Sequence, residues 1–378
     1  MLKVEIQELI KLIMLFMNKI APLLLVISLL FSCNIKSQNN KDTIEEIVTD
    51  EISNFIKAPE FSALSGVIYV NGKTHQFHFG KLVNGKKPNN QTLYEIGSIS
   101  KTYTGLLLSQ AVNDKKVNLD ADIRNYLNNN YPNLLLPNGP ITLKHLATHT
   151  SGIPVNLDCF DENLTINEKY SCYQNYTNVV FLEKLQDVKL LDSTGESYNY
   201  SNAGIRLIGH ILENVYKTSY QSLLKKYIFS RSKEQNTFYR LDDSIKNKMA
   251  LGRNEEGEIM PLASEYYMND GALKSSTNSM LKYIRMYMED KDEVVQNSLK
   301  LLAGNPDNLG RSFVWNTFQY NTTNMYYHSG GTFGFSSWIA LYPTKKTGIF
   351  LVTNVSTKNA QAKLNEVSNR IINRVNKL

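Results

Sequence analysis

The stretch Glu95-Ile96-Gly97-Ser98-Ile99-Ser100-Lys101-Thr102-Tyr103-Thr104 decides how the rest of the chain is interpreted. It reads as the end of a strand, a glycine turn, and a Ser-x-x-Lys sequence that opens a helix. The helix is predicted because apolar residues recur at helical spacing, at Ile99, Tyr103, Leu106, Leu107 and Ala111. Residues three apart on a helix share a face, so we expect Lys101 one turn from Ser98. A serine hydroxyl needs an adjacent base or cation to act as a nucleophile, and Lys101 could supply it.

The Ser-x-x-Lys pattern alone does not identify a nucleophile, because the chain contains it four times. The other matches begin at Ser222, Ser230 and Ser279. Ser222 and Ser279 lie within helical patterns, where a serine beside a lysine is an ordinary solvated face, and Ser230 lies in a polar run. Only Ser98 follows a strand and a glycine turn and precedes an apolar helix, so Ser98 is the candidate nucleophile.

The composition is that of an ordinary globular protein, with 378 residues, 42% hydrophobic and 20% charged. This length predicts two domains, or one large domain with an insertion. The formal net charge is +6, but lysine and arginine are spread along the chain without a basic block. A nucleic-acid partner is therefore not indicated.

The first 33 residues are predicted to be a signal sequence. An apolar run over residues 20–31 follows Lys19 and is shorter than a typical membrane span. It ends in Leu30-Phe31-Ser32-Cys33, which resembles a bacterial lipobox with Cys33 as the lipidated residue. A plain signal peptide with an incidental cysteine is the alternative. With a polar tether at 34–41, we expect an exported lipoprotein, anchored to a membrane by lipid and facing the periplasm or the cell surface.

Two further cysteines, Cys159 and Cys172, can form a disulfide if the chain is exported. Such a bridge would stabilise the fold by roughly 3 kcal/mol in the chain-entropy model. Two free buried thiols are the alternative, and we favour the bridge.

Strand patterns lie near both ends of the chain and a helical region lies between them. Helices are predicted at residues 42–57 and 359–375, a hairpin at Asn71-Gly72, a strand at 92–96, and late strands at 313–318, 324–327, 336–342 and 348–354. We therefore predict an α+β fold, in which one antiparallel sheet from both chain ends is flanked by the terminal helices. The predicted catalytic domain spans 42–378, with an α/β part (42–111 and 306–378), a mainly helical part (112–305) and a ligand cleft between them.

Three other stretches join the first as candidates for the site. Tyr198-Asn199-Tyr200-Ser201-Asn202-Ala203-Gly204 leads into an apolar helical pattern, and Tyr327-His328-Ser329-Gly330-Gly331-Thr332 ends a late strand. Residues 271–277 precede a further helix. Tyr-x-Asn also occurs elsewhere, so Tyr200 is chosen for the glycine and the apolar helix that follow it.

In this order, Ser98-x-x-Lys101, Tyr200-Ser201-Asn202 and His328-Ser329-Gly330 resemble the serine β-lactamase and penicillin-binding protein superfamily. The Tyr-Ser-Asn form is that of class C β-lactamases and of the DD-peptidases and esterases that share their fold. Residues 143–154 and 271–277 also resemble stretches of that branch. The resemblance covers residues 53–355 and implies the β-lactamase-like fold.

The resemblance implies that Ser98 attacks a carbonyl carbon and becomes acylated, with Lys101 keeping the site positive and Tyr200 relaying the proton. Whether Lys101 or Tyr200 is the formal base stays open. The backbone N–H groups of Ser98 and Gly331 would form the oxyanion hole, and water would then hydrolyse the acyl-enzyme.

On the binding side, the resemblance implies that Asn202 binds the acyl-side amide, and that His328 and Ser329 face the leaving group or its carboxylate. Lysine is usual at the position of His328 in class C β-lactamases, whereas histidine is more frequent among the DD-peptidases and esterases. Because the charge of histidine changes near neutral pH, a fixed cation for a β-lactam carboxylate is not guaranteed here.

No metal site or cofactor is expected. His145 and His149 stand four apart, but no third histidine or nearby carboxylate completes a metal site, so we interpret them as a structural pair. The sequence therefore predicts a serine hydrolase acting on a small-molecule or peptidoglycan-like substrate: a β-lactam, a D-amino-acid peptide or an ester. The alternative is a non-catalytic protein that keeps the fold and binds cell-wall fragments.

Overall fold

A computed structural model of the protein describes residues 43–57, 61–159, 163–191, 197–262, 269–320 and 322–378. The predicted signal sequence, Cys33 and the tether at 34–41 lie outside the described residues. Within the described ranges, no helix combines the length and the apolar character that a bilayer crossing requires.

Residues from both chain ends build one antiparallel sheet of eight strands, in the spatial order β2-β1-β13-β12-β11-β10-β9-β8. The strands are β1 Ala63–Val70, β2 Lys73–Gly80, β3 Tyr94–Glu95, β4 Leu135–Leu136, β5 Gly139–Pro140, β6 Thr237–Phe238, β7 Lys274–Ser275, β8 Ala303–Asn305, β9 Leu309–Arg311, β10 Asn316–Tyr320, β11 Thr323–Gly331, β12 Ser336–Tyr342 and β13 Thr347–Thr353. Strands β3, β7 and β6 form a small second sheet, and β4 pairs with β5. The predicted antiparallel sheet is confirmed.

The helices cover the ends and the middle of the chain. They are α1 Ile44–Phe55, α2 Ser100–Asn113, α3 Leu143–Thr148, α4 Ile166–Asn175, α5 Asn178–Gln186, α6 Asn202–Tyr216, α7 Tyr220–Leu223, α8 Ser230–Ser232, α9 Asp243–Lys246, α10 Thr277–Glu289, α11 Glu293–Asn297 and α12 Ala360–Val375. Gly97–Ile99, Ile123–Tyr126 and Pro343–Lys345 are 3₁₀ turns, and Leu224–Phe229 is π-helical.

The central strands are buried on both faces because each face packs against helices. In β13, Ile349 and Leu351 belong to the core formed with α1 and α12, whereas Phe350 and Val352 belong to the core on the side of α2, α6 and α10. Successive strand residues point to opposite faces, so a continuous apolar run supplies both cores. The sheet therefore lies between two layers of helices, one packed on each face.

Some predicted strand boundaries are wrong. The strand predicted at 92–96 forms ladder pairs only at Tyr94–Glu95. The strand predicted from residue 313 begins at Asn316, since Val314 has a left-handed backbone (φ 71°) that a regular strand cannot contain. The hairpin predicted at Asn71-Gly72 is confirmed: both residues have positive φ (48° and 87°), as a two-residue hairpin turn of type I′ requires.

Candidate active site

Two polar groups from different parts of the chain meet at the Ser98 hydroxyl. Ser98 lies in the 3₁₀ turn that leads into α2, and Lys101 Nζ lies 2.9 Å from Ser98 Oγ. The Tyr200 hydroxyl, just before α6, lies 2.9 Å from the same oxygen. Lys101 Nζ is 5.4 Å from the centroid of the Tyr200 ring. The Ser98 hydroxyl therefore contacts two groups, a lysine amine and a phenol, that can exchange or relay its proton.

The Lys101 side chain is 1% exposed and its ammonium is held from a second direction. Nζ also donates a hydrogen bond to the carbonyl oxygen of Asp270. The preceding residue, Asn269, holds this carbonyl in place. The Asn269 backbone carbonyl accepts a hydrogen bond from Thr104 Oγ1 (2.8 Å), and the Asn269 side-chain Nδ2 donates one to the Ile205 carbonyl (2.6 Å). The segment 269–270 therefore links α2 to α6 and fixes the ammonium beside Ser98.

The end of β11 packs against the turn that carries Ser98. A Cβ atom added at Gly97, which has φ +51°, would lie 2.7 Å from both the nitrogen and the oxygen of Gly331. A Cβ added at Gly330 would lie 2.1 Å from the Ile96 carbonyl oxygen. Only glycine permits this approach, because any side chain would push β11 away from the turn. The Gly331 peptide thus packs against the turn that carries Ser98.

Tyr200 is held by His149, a contact that the sequence did not predict. His149 caps the C-terminus of α3 in a left-handed conformation (φ 58°), so it does not continue a helical face with His145. Its ring centroid lies 4.6 Å from that of Tyr200. Burial, followed by the charge of Lys101, holds the pKa of His149 well below its ordinary value, so the imidazole is neutral.

Asn202 begins α6 and is oriented by the loop that follows α3. Its backbone N–H donates to the Val155 carbonyl (2.9 Å) and its side-chain Nδ2 donates to Asn156 Oδ1 (3.1 Å). Asn156 Nδ2 is buried without a hydrogen-bond partner. Asn156 was missed in the sequence, although it lies just beyond the 143–154 stretch.

His328 is buried and neutral. Its Nδ1–H donates to the carbonyl oxygen of Ser329 at 2.6 Å, which leaves Nε2 as an acceptor. Burial, together with the charges of Lys101 and Arg311, lowers its pKa from 6.5 to about 4, and the bond to Ser329 partly opposes this shift. Because the imidazole is uncharged at neutral pH, His328 cannot serve as the cation that lysine provides in class C β-lactamases.

Arg311, on β9, supplies a cation beside these histidines and was missed in the sequence. It pairs with Asn316 on β10, and Asn316 pairs with Tyr327 on β11, so Arg311 lies in the same row of the sheet as the residue before His328. The Arg311 guanidinium stacks on the Tyr198 ring at 4.1 Å.

Nothing else in the described residues neutralises this guanidinium. Arg311 is 5% exposed, its Nε is buried without a hydrogen-bond partner, and no carboxylate of the described ranges forms an ion pair with it. A buried cation without a counter-ion is costly unless a ligand supplies the anion. In the sequence Arg311 is a single arginine within a buried strand, and composition alone would assign such a residue to the charged surface.

Cys159 and Cys172 form a disulfide with an S–S distance of 2.00 Å. Together with Asp158 they make up the single cluster of potential metal ligands within the described residues. Because both thiols are used in the disulfide, this cluster does not have the donors of a zinc site.

Comparison with known proteins identifies the family and the fold. A family model described as Beta-lactamase matches residues 48–373. The chain belongs to the beta-lactamase family. Its fold is similar to that of the beta-lactamase/D-alanine carboxypeptidase from Yersinia pestis (TM-score 0.76, 19% identity, 88% of this chain and 98% of that chain). It is also similar to a class C beta-lactamase (TM-score 0.74, 20% identity, 89% and 99%). The predicted family and fold class are confirmed.

One group of curated relatives is longer than this chain. Protein flp of Staphylococcus aureus (strain MRSA252) is 26% identical over 298 residues, which cover 76% of this chain and 58% of that protein. The chain therefore spans little more than half the length of these relatives. Family membership supports serine hydrolase chemistry.

Proposed function

We propose that this protein is a serine hydrolase that forms an acyl-enzyme at Ser98, on substrates whose leaving group carries a carboxylate. The observation that carries the proposal is the placement of Lys101 Nζ and the Tyr200 hydroxyl, each 2.9 Å from Ser98 Oγ. A D-amino-acid peptide with a free C-terminus fits this description best, and a β-lactam shares the carboxylate.

In the proposed reaction, Ser98 Oγ bonds to the substrate carbonyl carbon and its proton passes to the Tyr200 oxygen, while the Tyr200 hydroxyl gives its own proton to the leaving nitrogen. The Lys101 ammonium, 2.9 Å from Ser98 Oγ, stabilises the charge that develops on that oxygen, and the N–H groups of Ser98 and Gly331 stabilise the oxyanion. The carbon–nitrogen bond then breaks and the protonated amine leaves. Water adds to the acyl carbon by the same route and releases Ser98.

Arg311 supports the choice of leaving group. With His328 neutral, Arg311 is the buried cation on the β11 side of the site, and its charge has no carboxylate partner among the described residues. A carboxylate on the leaving group would supply that partner, since arginine binds carboxylates through paired N–H donors. An ester without a carboxylate would lack this contact.

The test compares a peptide ending in D-alanyl-D-alanine with the same peptide carrying a C-terminal amide, and measures release of the last residue. We expect the free carboxylate to be preferred, and the preference to fall roughly 10- to 100-fold in Arg311→Gln. Arg206→Gln is the matched control, because Arg206 is also 5% exposed, stacks on a tyrosine (Tyr176, 4.4 Å), and has an unpartnered Nε. A preference that survives Arg311→Gln would exclude this role.

Ser98→Ala tests the nucleophile itself. It should abolish turnover and covalent labelling by a fluorescent penicillin, and retained turnover would refute the assignment. A long-lived penicillin adduct on the unmodified chain would indicate a penicillin-binding enzyme, and rapid release a β-lactamase. Ester cleavage without an adduct would indicate an esterase. A chain that is neither labelled nor active on peptide or ester would instead be a non-catalytic binder of cell-wall fragments.

We also propose that the protein is an exported lipoprotein anchored through Cys33. The support is the apolar run over residues 20–31 followed by Leu30-Phe31-Ser32-Cys33. Expression in a bacterium with radiolabelled palmitate should label the protein and not its Cys33→Ser variant. Equal labelling of both would contradict the proposal.

A further inference from the structure

One residue, His149, contacts Tyr200 and both of its neighbours in the chain. The His149 carbonyl accepts the backbone N–H of Asn199 at 2.7 Å, and His149 Nδ1 accepts the backbone N–H of Ser201 at 3.1 Å. Its ring also lies against the Tyr200 ring, with centroids 4.6 Å apart and planes tilted by 37°. The peptide before Tyr200, the peptide after it and its ring are thus all held by one residue.

These contacts require a neutral imidazole. Because Nδ1 accepts a hydrogen bond, the single ring proton must be on Nε2. A protonated ring would have N–H groups at both nitrogens and would lose the bond to Ser201. Among the described residues, Lys101, His328 and Arg311 each disfavour a positive charge on His149.

The backbone of His149 is shaped for this contact. It adopts a left-handed conformation (φ 58°, ψ 38°), which is uncommon outside glycine, although histidine and asparagine tolerate it better than most residues. Its N–H still bonds to the α3 carbonyls of His145 and Leu146. The left-handed turn ends α3 and allows the carbonyl and the ring of one residue to hold the same short segment. Strained backbone of this kind is concentrated at functional sites.

We infer that His149 is a positioning residue for Tyr200, which keeps the phenol oxygen within hydrogen-bond distance of Ser98 Oγ. This inference rests on the proposed function, in which Tyr200 relays the proton. Among the residues that the structure describes, the one hydrogen bond at the phenol oxygen itself is to Ser98. The orientation of the ring must therefore come from its backbone and from the surface beneath it. His149 supplies both.

The test is a double-mutant cycle with His149→Phe and Tyr200→Phe, following p-nitrophenol release from p-nitrophenyl acetate in the full chain. His149→Phe keeps a ring but removes the acceptor for Ser201. We expect kcat to fall roughly 10- to 100-fold with KM little changed, because a misplacement of about 1 Å costs about that much. In the Tyr200→Phe background the same substitution should have no further effect. His149→Asn keeps an acceptor and tolerates the backbone, so it should recover most of the rate.

His145→Phe is the matched control. His145 lies on the same helix and its Nδ1 also accepts a backbone N–H, from Thr142 at 3.3 Å, but it does not touch Tyr200. It should lower thermal stability while leaving kcat unchanged. If His149→Phe and Tyr200→Phe are additive, or if His149→Phe leaves kcat unchanged, the positioning role is wrong.

Amide hydrogen exchange separates this inference from the proposed function. Exchange at the Ser201 amide should be faster in His149→Phe than in the unmodified chain and unchanged in His145→Phe. If the unmodified chain is inactive on the ester, or Tyr200→Phe has no effect, the proposed function fails, and faster exchange would still establish that His149 holds the segment. Unchanged exchange would refute the inference whatever the kinetics.

Discussion

Replacing Gly97 with alanine should disable acylation while leaving the protein folded. The added Cβ would lie 2.7 Å from both the nitrogen and the oxygen of Gly331. Non-bonded heavy atoms prefer about 3.5–4.0 Å, so the end of β11 and the Ser98 turn must separate by about 1 Å. A displacement of that size between a nucleophile and the groups around it costs roughly 100-fold in rate. That factor corresponds to about 2.7 kcal/mol of lost transition-state stabilisation.

The backbone strain of this substitution can be measured separately. Gly85 also has a positive φ (+76°, against +51° at Gly97), but a Cβ added there would have no atom within 4 Å. Gly85→Ala should therefore show only the strain of a left-handed alanine, about 1–2 kcal/mol, without loss of acylation. The acylation rate is measured by stopped-flow with p-nitrophenyl acetate, and unfolding by urea titration. If Gly97→Ala is acylated within about threefold of the unmodified chain while it unfolds like Gly85→Ala, the predicted close approach of β11 is wrong.

Two further predictions concern stability. Burial raises the pKa of Glu234 from 4.5 to about 7, although Thr237, Ser232 and Tyr103 donate hydrogen bonds to its carboxylate. Because the folded state holds the Glu234 proton more tightly, this proton's contribution to stability is complete below the unfolded pKa and is lost as pH rises towards 7. Urea unfolding measured across this pH range should show a loss of roughly 1–3 kcal/mol in the free energy of unfolding, and Glu234→Gln should remove that loss. An identical pH dependence in both proteins would contradict the prediction. The Cys159–Cys172 disulfide closes a short loop (sequence separation 13). A Cys159→Ser/Cys172→Ser double variant should therefore lose about 3 kcal/mol of its free energy of unfolding while its ester hydrolysis stays intact. An unchanged urea midpoint would argue against this contribution.

The sheet could be predicted from the sequence because its signals are local. Asn71-Gly72 between two apolar runs specifies a two-residue hairpin, and the closing helix has an apolar stripe of the right period. The strand starting at Asn316 was placed too early, since Phe313-Val314-Trp315 is apolar for a tertiary reason. These residues fill the core under α2, where the Phe313 carbonyl would lie 2.1 Å from a Cβ at Gly105. A buried segment that forms no strand pairs therefore shows the same run of apolar residues as a buried strand.

The groups at the Ser98 hydroxyl could be predicted in part. The spacing of Ser98 and Lys101 is a property of one helical turn, so it is visible in the sequence. Bringing Tyr200 to the same oxygen depends on how α6 packs against α2, and spacing alone did not separate Tyr200 from other Tyr-x-Asn matches. The resemblance to a known family was needed to select it.

Arg311 and His149 could not be assigned from the sequence, because their meaning depends on charges that only the fold brings together. Each charge that shifts the pKa of His328 comes from Lys101 or Arg311, and both are cations. A histidine in the usual lysine position is therefore not a weaker version of that lysine: in this site it is a neutral hydrogen-bonding group. The cation is instead Arg311, two strands away on β9, which lies in the same row of the sheet as Asn316 on β10 and Tyr327 on β11. If the leaving-group carboxylate binds there, introducing lysine by His328→Lys should not improve peptide cleavage, because a third cation beside Lys101 and Arg311 would itself be driven towards its neutral form.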